Sequence, residues 1–100
     1  MGKYKKRPIV IEAFQMTKEH RWDNSEWPQW LLDAWSKKPG VGALWVGSDF
    51  PDSEGTLRLC IGVLEGVHVV DYDNWIIRDI KGELYSYRPE IFEQIYESID

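Results

Sequence analysis

The fold is decided by residues 73–95, DNWIIRDIKGELYSYRPEIFEQI. Within this stretch, two runs rich in β-branched and aromatic residues flank the tetrapeptide Asp-Ile-Lys-Gly at 79–82. An Asp at the first turn position and a Gly where φ is positive are typical of a type I turn closed by a glycine bulge. The stretch is therefore predicted to form a β-hairpin followed by a short helical segment that Pro89 opens. Because Ile91, Ile95 and Ile99 alternate with polar residues, an extended end of this tail is the alternative.

The turn also predicts the register of this hairpin. If Asp79 pairs with Glu83, the opposed residues are Trp75 with Tyr87, Ile76 with Ser86, Ile77 with Tyr85, and Arg78 with Leu84. One face is then aromatic and apolar, and the other carries Arg78 and Arg88. A two-residue Lys81-Gly82 turn is the alternative register, and it would mix the two faces. Because register follows the buried pattern, the first pairing is preferred.

The composition predicts one small domain over residues 1–100. Apolar residues make up 43% of the chain and include six Trp, which can supply much of a buried core.

The lone Cys60 allows no internal disulfide, and no apolar run approaches the roughly 18 residues of a membrane span. The N-terminal residues are charged where a signal peptide needs its apolar region. We therefore expect a cytoplasmic protein, either bacterial or from something that replicates inside bacteria.

The net charge of −5 argues against a nucleic-acid polymer as partner, because such partners need a positive surface. The only basic cluster is the run at residues 3–7, which is short and adjoins a predicted strand. We interpret it as a group of solvated charges that prevents the edge of the sheet from pairing with another chain.

The main helix is predicted at roughly residues 25–37, with Asn24 or Ser25 as its cap. Apolar residues with helical spacing form one continuous stripe along it, namely Trp27, Trp30, Leu31, Ala34 and Trp35. Residues 39–40, Pro-Gly, should end the helix. The stripe predicts that the helix lies on a sheet.

Alternating or β-branched residues predict strands at 8–16, 41–46, 56–62 and 67–70, in addition to the hairpin. Residues 17–23 and 48–55 are predicted to be loops. The expected fold is α+β: a small antiparallel sheet of five or six strands with one major helix packed on one face.

The chain shows no pattern that specifies reaction chemistry. His20 and His68 have no partner at metal-ligand spacing, and Cys60 has no activating base nearby in sequence. Asp71 and Asp73 loosely suggest a cation site, but the calcium-loop pattern around them is missing. We therefore expect no enzymatic activity, no metal and no cofactor.

Three arginines suggest a binding site instead. Arg58, Arg78 and Arg88 lie mid-strand or at a strand end, opposite the apolar rows. Each alone can be a snorkelling surface residue, but together they can form a pocket for a small phosphorylated or carboxylated ligand. Neighbouring side chains and tryptophans outside the helical stripe complete the candidate set: Tyr4, Tyr72, Ser86, Trp22 and Trp45.

Both ends of the chain resemble a family of small proteins encoded by tailed bacteriophages and prophages, most of unassigned function. Residues 3–16, KYKKRPIVIEAFQM, are similar to the family's basic, Pro-containing opening strand. Residues 74–97 are similar to its closing segment, which typically reads PGDWIIKGVKGEFYPCKPDIFEKTYE. The matching positions are Trp75, Ile76, Ile77, Lys81, Gly82, Glu83, Tyr85, Pro89, Ile91, Phe92, Glu93, Tyr96 and Glu97, with Arg78 and Arg88 in place of two lysines. The departures are Asp73-Asn74, Asp79, Ser86 and Tyr87, and residues 17–71 have no match.

The resemblance implies a phage accessory protein of the kind that counters host defence. With the arginine set, it leads us to expect a protein that binds and sequesters a small nucleotide-derived immune signal, such as a cyclic oligonucleotide or a cyclic ADP-ribose relative, without cleaving it. One alternative is an acidic module that inhibits a host enzyme through Asp49, Asp52, Glu54, Asp71 and Asp73. A structural phage role is the third hypothesis. The abundance of aromatic residues also predicts a homo-oligomer, a dimer or a higher even-numbered assembly.

Overall fold

The computed structural model describes residues 2–4 and 10–99. The elements in chain order are β1 (Glu12–Met16), α1 (Lys18–Trp22), α2 (Gln29–Trp35), β2 (Leu44–Pro51), β3 (Leu57–Val63), β4 (Gly66–Val70), β5 (Asn74–Arg78), β6 (Leu84–Tyr87) and α3 (Pro89–Ile95). They form two three-stranded antiparallel sheets, in the orders β1-β5-β6 and β2-β3-β4. The α+β class is confirmed, but the expected single sheet of five or six strands is wrong.

The hairpin of β5 and β6 has the predicted register. Its opposed residues are Trp75 with Tyr87, Ile76 with Ser86, Ile77 with Tyr85, and Arg78 with Leu84. At the turn, the Asp79 N–H donates to the Glu83 carbonyl oxygen over 3.0 Å, and the Gly82 N–H donates to the Asp79 carbonyl oxygen over 3.0 Å. Gly82 has a φ of 83°, the left-handed conformation that a glycine bulge requires.

β1 completes the first sheet by pairing with β5 along its whole length, from Glu12 opposite Arg78 to Met16 opposite Asn74. The strand begins at Glu12, later than the predicted start at residue 8. Pro8 and Ile9, which belonged to that prediction, lie outside the described residues. The pairing joins segments about sixty residues apart in the chain, so no local pattern predicts it.

The second sheet is longer than expected at its edge strand. β2 continues to Pro51, through half of the segment predicted to be a loop, and its register against β3 shifts between Val46 and Pro51. Pro51 lacks an N–H group, and an edge strand with an irregular register is where a strand tolerates such a residue. Residues 56–62 were predicted as a strand, and β3 occupies Leu57–Val63.

The main core lies between the two sheets and α2. Its buried members are Met16, Trp27, Leu31, Ala34, Leu44, Leu59, Ile61, Val63, Val70, Ile76 and Leu84. The hairpin enters this core through Ile76 and Leu84, which belong to the face that also carries Arg78. The aromatic face is covered separately by α3, where Phe92 stacks on Trp75. Both hairpin faces are therefore covered: the strand residues divide between the faces as the register predicted, but the face that carries Arg78 also contributes to the main core.

α2 is shorter than the predicted helix. It begins at Gln29 after Pro28, which occupies the cap position, so neither Asn24 nor Ser25 is the cap. Trp27, Leu31 and Ala34 of the predicted stripe are buried, whereas Trp35 at its end is 38% exposed. Among the residues that the structure describes, no helix has the length and apolar character needed to cross a membrane.

Candidate functional site

The candidate site depends on α1, a short helix inside the segment that was predicted to be a loop. Thr17 caps it: the side-chain oxygen accepts from the His20 N–H over 3.1 Å. The Thr17 carbonyl oxygen accepts from the Arg21 N–H over 2.9 Å. The helix has no buried residue, so polar contacts rather than core packing decide where it lies.

α1 brings its last residues to the turn between β4 and β5. The Trp22 Nε1 donates to the Tyr72 hydroxyl over 3.1 Å. The Arg21 guanidinium lies over the Trp22 ring, 4.2 Å from its centroid, and the Lys18 Nζ lies 6.0 Å from the Tyr72 ring centroid. Trp22 is 58% exposed and Tyr72 is 39% exposed. Two aromatic rings are thus accessible beside two cationic side chains.

A second guanidinium reaches this place from β3. Leu59 lies opposite Val70, so the preceding residue, Arg58, lies beside Asp71 at the end of β4. The Arg58 Nη1 donates to an Asp71 carboxylate oxygen over 2.9 Å, and its Nε donates to the Phe50 carbonyl oxygen over 3.3 Å. These two contacts fix the orientation of the guanidinium plane.

A small depression joins these groups. Its polar lining consists of Arg21, Asp52, Thr56, Arg58, Asp71 and Tyr72. Its volume is about 30 Å³, above the roughly 10–15 Å³ that a cavity needs to hold one water molecule. It can therefore hold a small polar group such as phosphate oxygens, and the rest of any ligand must lie on the surface outside it.

Burial lowers the pKa of Arg21 from its ordinary value, and the neighbouring Tyr72 acts in the opposite direction. The guanidinium remains charged near neutral pH, because arginine does not lose its proton in proteins. Partial burial also weakens its hydration, which strengthens its attraction for an anion.

The carboxylates of the depression already have partners. Asp52 Oδ1 accepts from the backbone N–H groups of Glu54 and Thr56, over 2.9 and 3.0 Å, and so shapes the loop before β3. Asp71 pairs with Arg58. Within residues 2–4 and 10–99, no three His, Cys, Asp or Glu side chains lie close enough together to hold a metal ion.

The structure brings together three residues of the predicted set: Arg58, Tyr72 and Trp22. Tyr4, which is 98% exposed, is not among the residues that line the depression. Trp45 lies on β2 opposite Cys60, likewise outside that lining.

Arg78 and Arg88, the pair expected to bind one ligand, lie at opposite ends of the hairpin. Arg78 is at the turn end of the hairpin and pairs with Glu12 over 3.1 Å. Arg88 follows the open end and pairs with Glu90 over 3.4 Å. The two backbone positions are about four residues apart along the sheet, or roughly 13 Å. Each guanidinium therefore has its own carboxylate partner, and the joint binding of one ligand by the two arginines stays a prediction.

Ser86 also differs from its expected role. Its hydroxyl accepts from the Asn74 side-chain amide over 3.3 Å, across the hairpin. Asn74 is the buried polar residue that the structure shows among the core residues, so this hydrogen bond helps to satisfy a buried amide.

Sequence reasoning missed Lys18 and Arg21, because residues 17–23 were predicted to be a loop. A usable signal was present: Thr17 is a good cap, and Glu19 suits a first helical turn. A helix starting there places Lys18, Arg21 and Trp22 at i, i+3 and i+4, on one face.

Comparison with known proteins gives no relative for this arrangement: no protein-family model matches the chain, no curated protein matches it, and no solved structure matches its fold. The resemblance to phage proteins therefore stays a prediction.

Proposed function

We propose that this protein binds a small nucleotide-derived anion and sequesters it without cleaving it. The observation that carries the proposal is the convergence of Arg21 and Arg58 on one depression beside the exposed rings of Trp22 and Tyr72. Guanidinium groups form strong, directional hydrogen bonds with phosphate oxygens. An exposed aromatic ring offers a stacking surface to a base.

The size of the depression supports a shallow binding mode. A volume of about 30 Å³ holds phosphate oxygens but no base. The base would then lie outside, against Tyr72 or Trp22. A nucleotide carries a phosphate and a base a few ångströms apart. It can therefore place its phosphate in the depression and its base against the adjoining ring of Tyr72 or Trp22.

The balance of charges supports a small anion over a polymer. Asp52 and Asp71 lie beside the two arginines, and the whole chain carries a net charge of −5. A long phosphate backbone would meet this negative surface, whereas a small anion needs positive potential only locally.

We further propose that the ligand is a host immune signal of the cyclic oligonucleotide or cyclic ADP-ribose class, bound in the cytoplasm of an infected bacterium. The phage context comes from the resemblance of residues 3–16 and 74–97. Binding without cleavage is supported by the state of the site's carboxylates. Asp71 pairs with Arg58, and Asp52 accepts two backbone N–H groups, so each is already engaged rather than free to act as a general base.

The test is a capture and release experiment. The purified protein is mixed with cyclic dinucleotides, cyclic trinucleotides and cyclic ADP-ribose, washed, denatured by heat, and the supernatant is analysed by mass spectrometry. We expect one class to be recovered intact. The variants Arg21→Met and Arg58→Met should each lose most of the captured ligand, because each removes one phosphate contact. Lys81→Met, which removes one positive charge at the distant hairpin turn, should capture as much as the wild type.

Three results would overturn the proposal or move the site. Recovery of a cleaved product would show an enzyme. Loss of capture in Arg78→Met, with Arg21→Met unaffected, would place the site at the cleft beside Lys37 and Gly42, which Arg78 also lines. No capture of any nucleotide, together with capture of a host enzyme through the acidic residues, would favour a protein-binding inhibitor.

A further inference from the structure

The side chain of His20 bridges two segments of the chain next to the candidate site. Its Nδ1 lies 3.1 Å from the Gln15 carbonyl oxygen in β1, and its Nε2 lies 3.0 Å from a Glu26 carboxylate oxygen. The ring also packs against Phe14, with centroids 4.7 Å apart. The backbone carbonyl of His20 accepts from the Trp27 Nε1 over 2.7 Å. We call the contacts of the His20 ring with the Gln15 backbone carbonyl and the Glu26 carboxylate the His20 bridge.

Both ring nitrogens in the His20 bridge face oxygen atoms that accept hydrogen bonds. A neutral imidazole has one N–H group and one lone pair, so it would satisfy one oxygen and turn its lone pair toward the other. An imidazolium has two N–H groups and satisfies both. The Glu26 and Gln15 contacts accordingly raise the pKa of His20 above its ordinary value of 6.5.

The charged groups that act on the ring favour the same form. They are three carboxylates: Glu26 before α2, Glu19 in α1 and Asp23 just after α1. From β1, the ring meets only the neutral Gln15 carbonyl and the Phe14 ring. Since the folded state raises the pKa, the bridge contributes fully below pH 6.5, and its contribution is lost as the pH rises through the raised value.

The position of α1 depends on this bridge. No residue of α1 is buried. The contacts that hold the helix are its Thr17 cap, the His20 bridge, the packing of the His20 ring on Phe14, the Trp27 hydrogen bond and the Trp22–Tyr72 hydrogen bond. Loss of one contact from so few should loosen the helix. Arg21 and Trp22, which the proposed ligand site uses, would then lose their fixed positions.

We propose that protonation of His20 regulates the ligand site by fixing α1 against β1. At acidic to neutral pH the imidazolium holds Arg21 and Trp22 beside Arg58 and Tyr72, and at alkaline pH the neutral ring releases them. The effect on ligand binding rests on the proposed function, whereas the effect on α1 does not. The two parts can therefore be tested separately.

The binding part is tested by calorimetry with a cyclic dinucleotide, whose phosphodiesters do not titrate near neutral pH. Between about pH 5.5 and about pH 8.5, affinity should fall as the pH rises, by up to about tenfold for each unit by which the ligand raises the pKa of His20. His20→Gln, which cannot titrate, should give a flat profile. The control is His68→Gln. His68 is the other histidine of the chain and is exposed on β4, so this variant should keep the wild-type profile.

The α1 part is tested by NMR without ligand. The indole N–H signals of Trp22 and Trp27 should shift with the same midpoint as the His20 ring. In Glu26→Gln that midpoint should fall, because the ring loses its carboxylate partner. This variant also supplies the test if His20→Gln does not fold.

The outcomes are distinguishable. Binding that is independent of pH would overturn the regulation and leave the proposed function standing. No binding of the cyclic dinucleotide at any pH would refute the regulated binding of this ligand class, and the NMR titration would then decide the role of His20 alone. Indole signals that do not change through the His20 titration would overturn the proposal for α1 as well.

Discussion

Trp75 of β5 and Phe92 of α3 stack almost face to face, with ring centroids 4.3 Å apart and planes inclined by 8°. Tyr96 continues this contact, 5.1 Å from Phe92 between centroids. Trp75, Phe92 and Tyr96 therefore form a second, smaller aromatic cluster beside the main core, and α3 supplies two of its three rings.

The first prediction concerns this cluster. Phe92→Ala should lower the free energy of unfolding by about 2 kcal/mol, because it removes a partly buried ring and its stacking contact. Ile95→Ala is the control: that side chain is 56% exposed on the same helix, and the change should stay within about 0.5 kcal/mol. Urea denaturation followed by circular dichroism measures both. Equal losses in the two variants would mean that α3 does not stabilise the hairpin.

The second prediction concerns Gly62 in β3, which the loop before β2 crosses closely. A methyl group on Gly62 would collide with the Gly40 carbonyl, which is backbone and cannot rotate away. Gly62→Ala should therefore lower the free energy of unfolding by about 2 kcal/mol or more. Gly55 provides the comparison, because it has a φ of 86° but nothing within 4 Å of an added methyl group.

Gly55→Ala should lose only about 1 kcal/mol, from its left-handed backbone. Thermal unfolding of the two alanine variants separates a collision from backbone strain. If Gly55→Ala were the less stable variant, the close approach of residue 40 to β3 would be wrong.

The third prediction concerns the ion pair between Arg58 and Asp71, joined over 2.9 Å with both side chains partly exposed. Asp71→Asn removes a negative charge that competes with the ligand for Arg58. Affinity for the nucleotide anion should rise about two- to fivefold, since exposed pairs of this kind contribute up to about 1 kcal/mol. Asp73→Asn, which removes a charge from the same turn without touching Arg58, should change affinity less. Calorimetry that shows weaker binding in Asp71→Asn would instead assign Asp71 the role of positioning Arg58.

The fourth prediction is self-association. Several apolar side chains are largely exposed, among them Val41 at 59% and Leu64 at 74%, which line one shallow depression. Exposed apolar patches commonly mark interfaces. Light scattering at micromolar concentration should give about twice the chain mass of 11.8 kDa, and Leu64→Lys should reduce that mass. A mass near 11.8 kDa for the wild type would refute the prediction.

The sequence alone predicts the local features well. The register from Arg78 opposite Leu84 to Trp75 opposite Tyr87 follows from a turn whose residues are neighbours in the chain. The prediction of a helical segment that begins at Pro89 is also confirmed, because it too depends on residues that are neighbours in the chain. The division into two sheets was missed because it depends on β1 pairing with β5, and both strands are equally compatible with a single sheet.

The candidate site was predicted only in part, for a related reason. The pairing of β3 with β4 brings Arg58 close to Tyr72, and these two strands follow one another in the sequence. Arg21 reaches them only because α1 follows β1, and the position of β1 is fixed by a distant partner. Alternation patterns show which residues share a face of one strand, but not which faces of separate sheets meet.

The pairing of β1 with β5 has a consequence for the order of folding. The hairpin of β5 and β6 closes a loop of a few residues, whereas β1 must close one of about sixty, which takes more chain entropy and more time. We expect the hairpin to form early and β1 to dock late, bringing α1 with it. Arg21 would then meet Arg58 only in the final step, so that ligand binding would report the fully folded chain and no earlier intermediate.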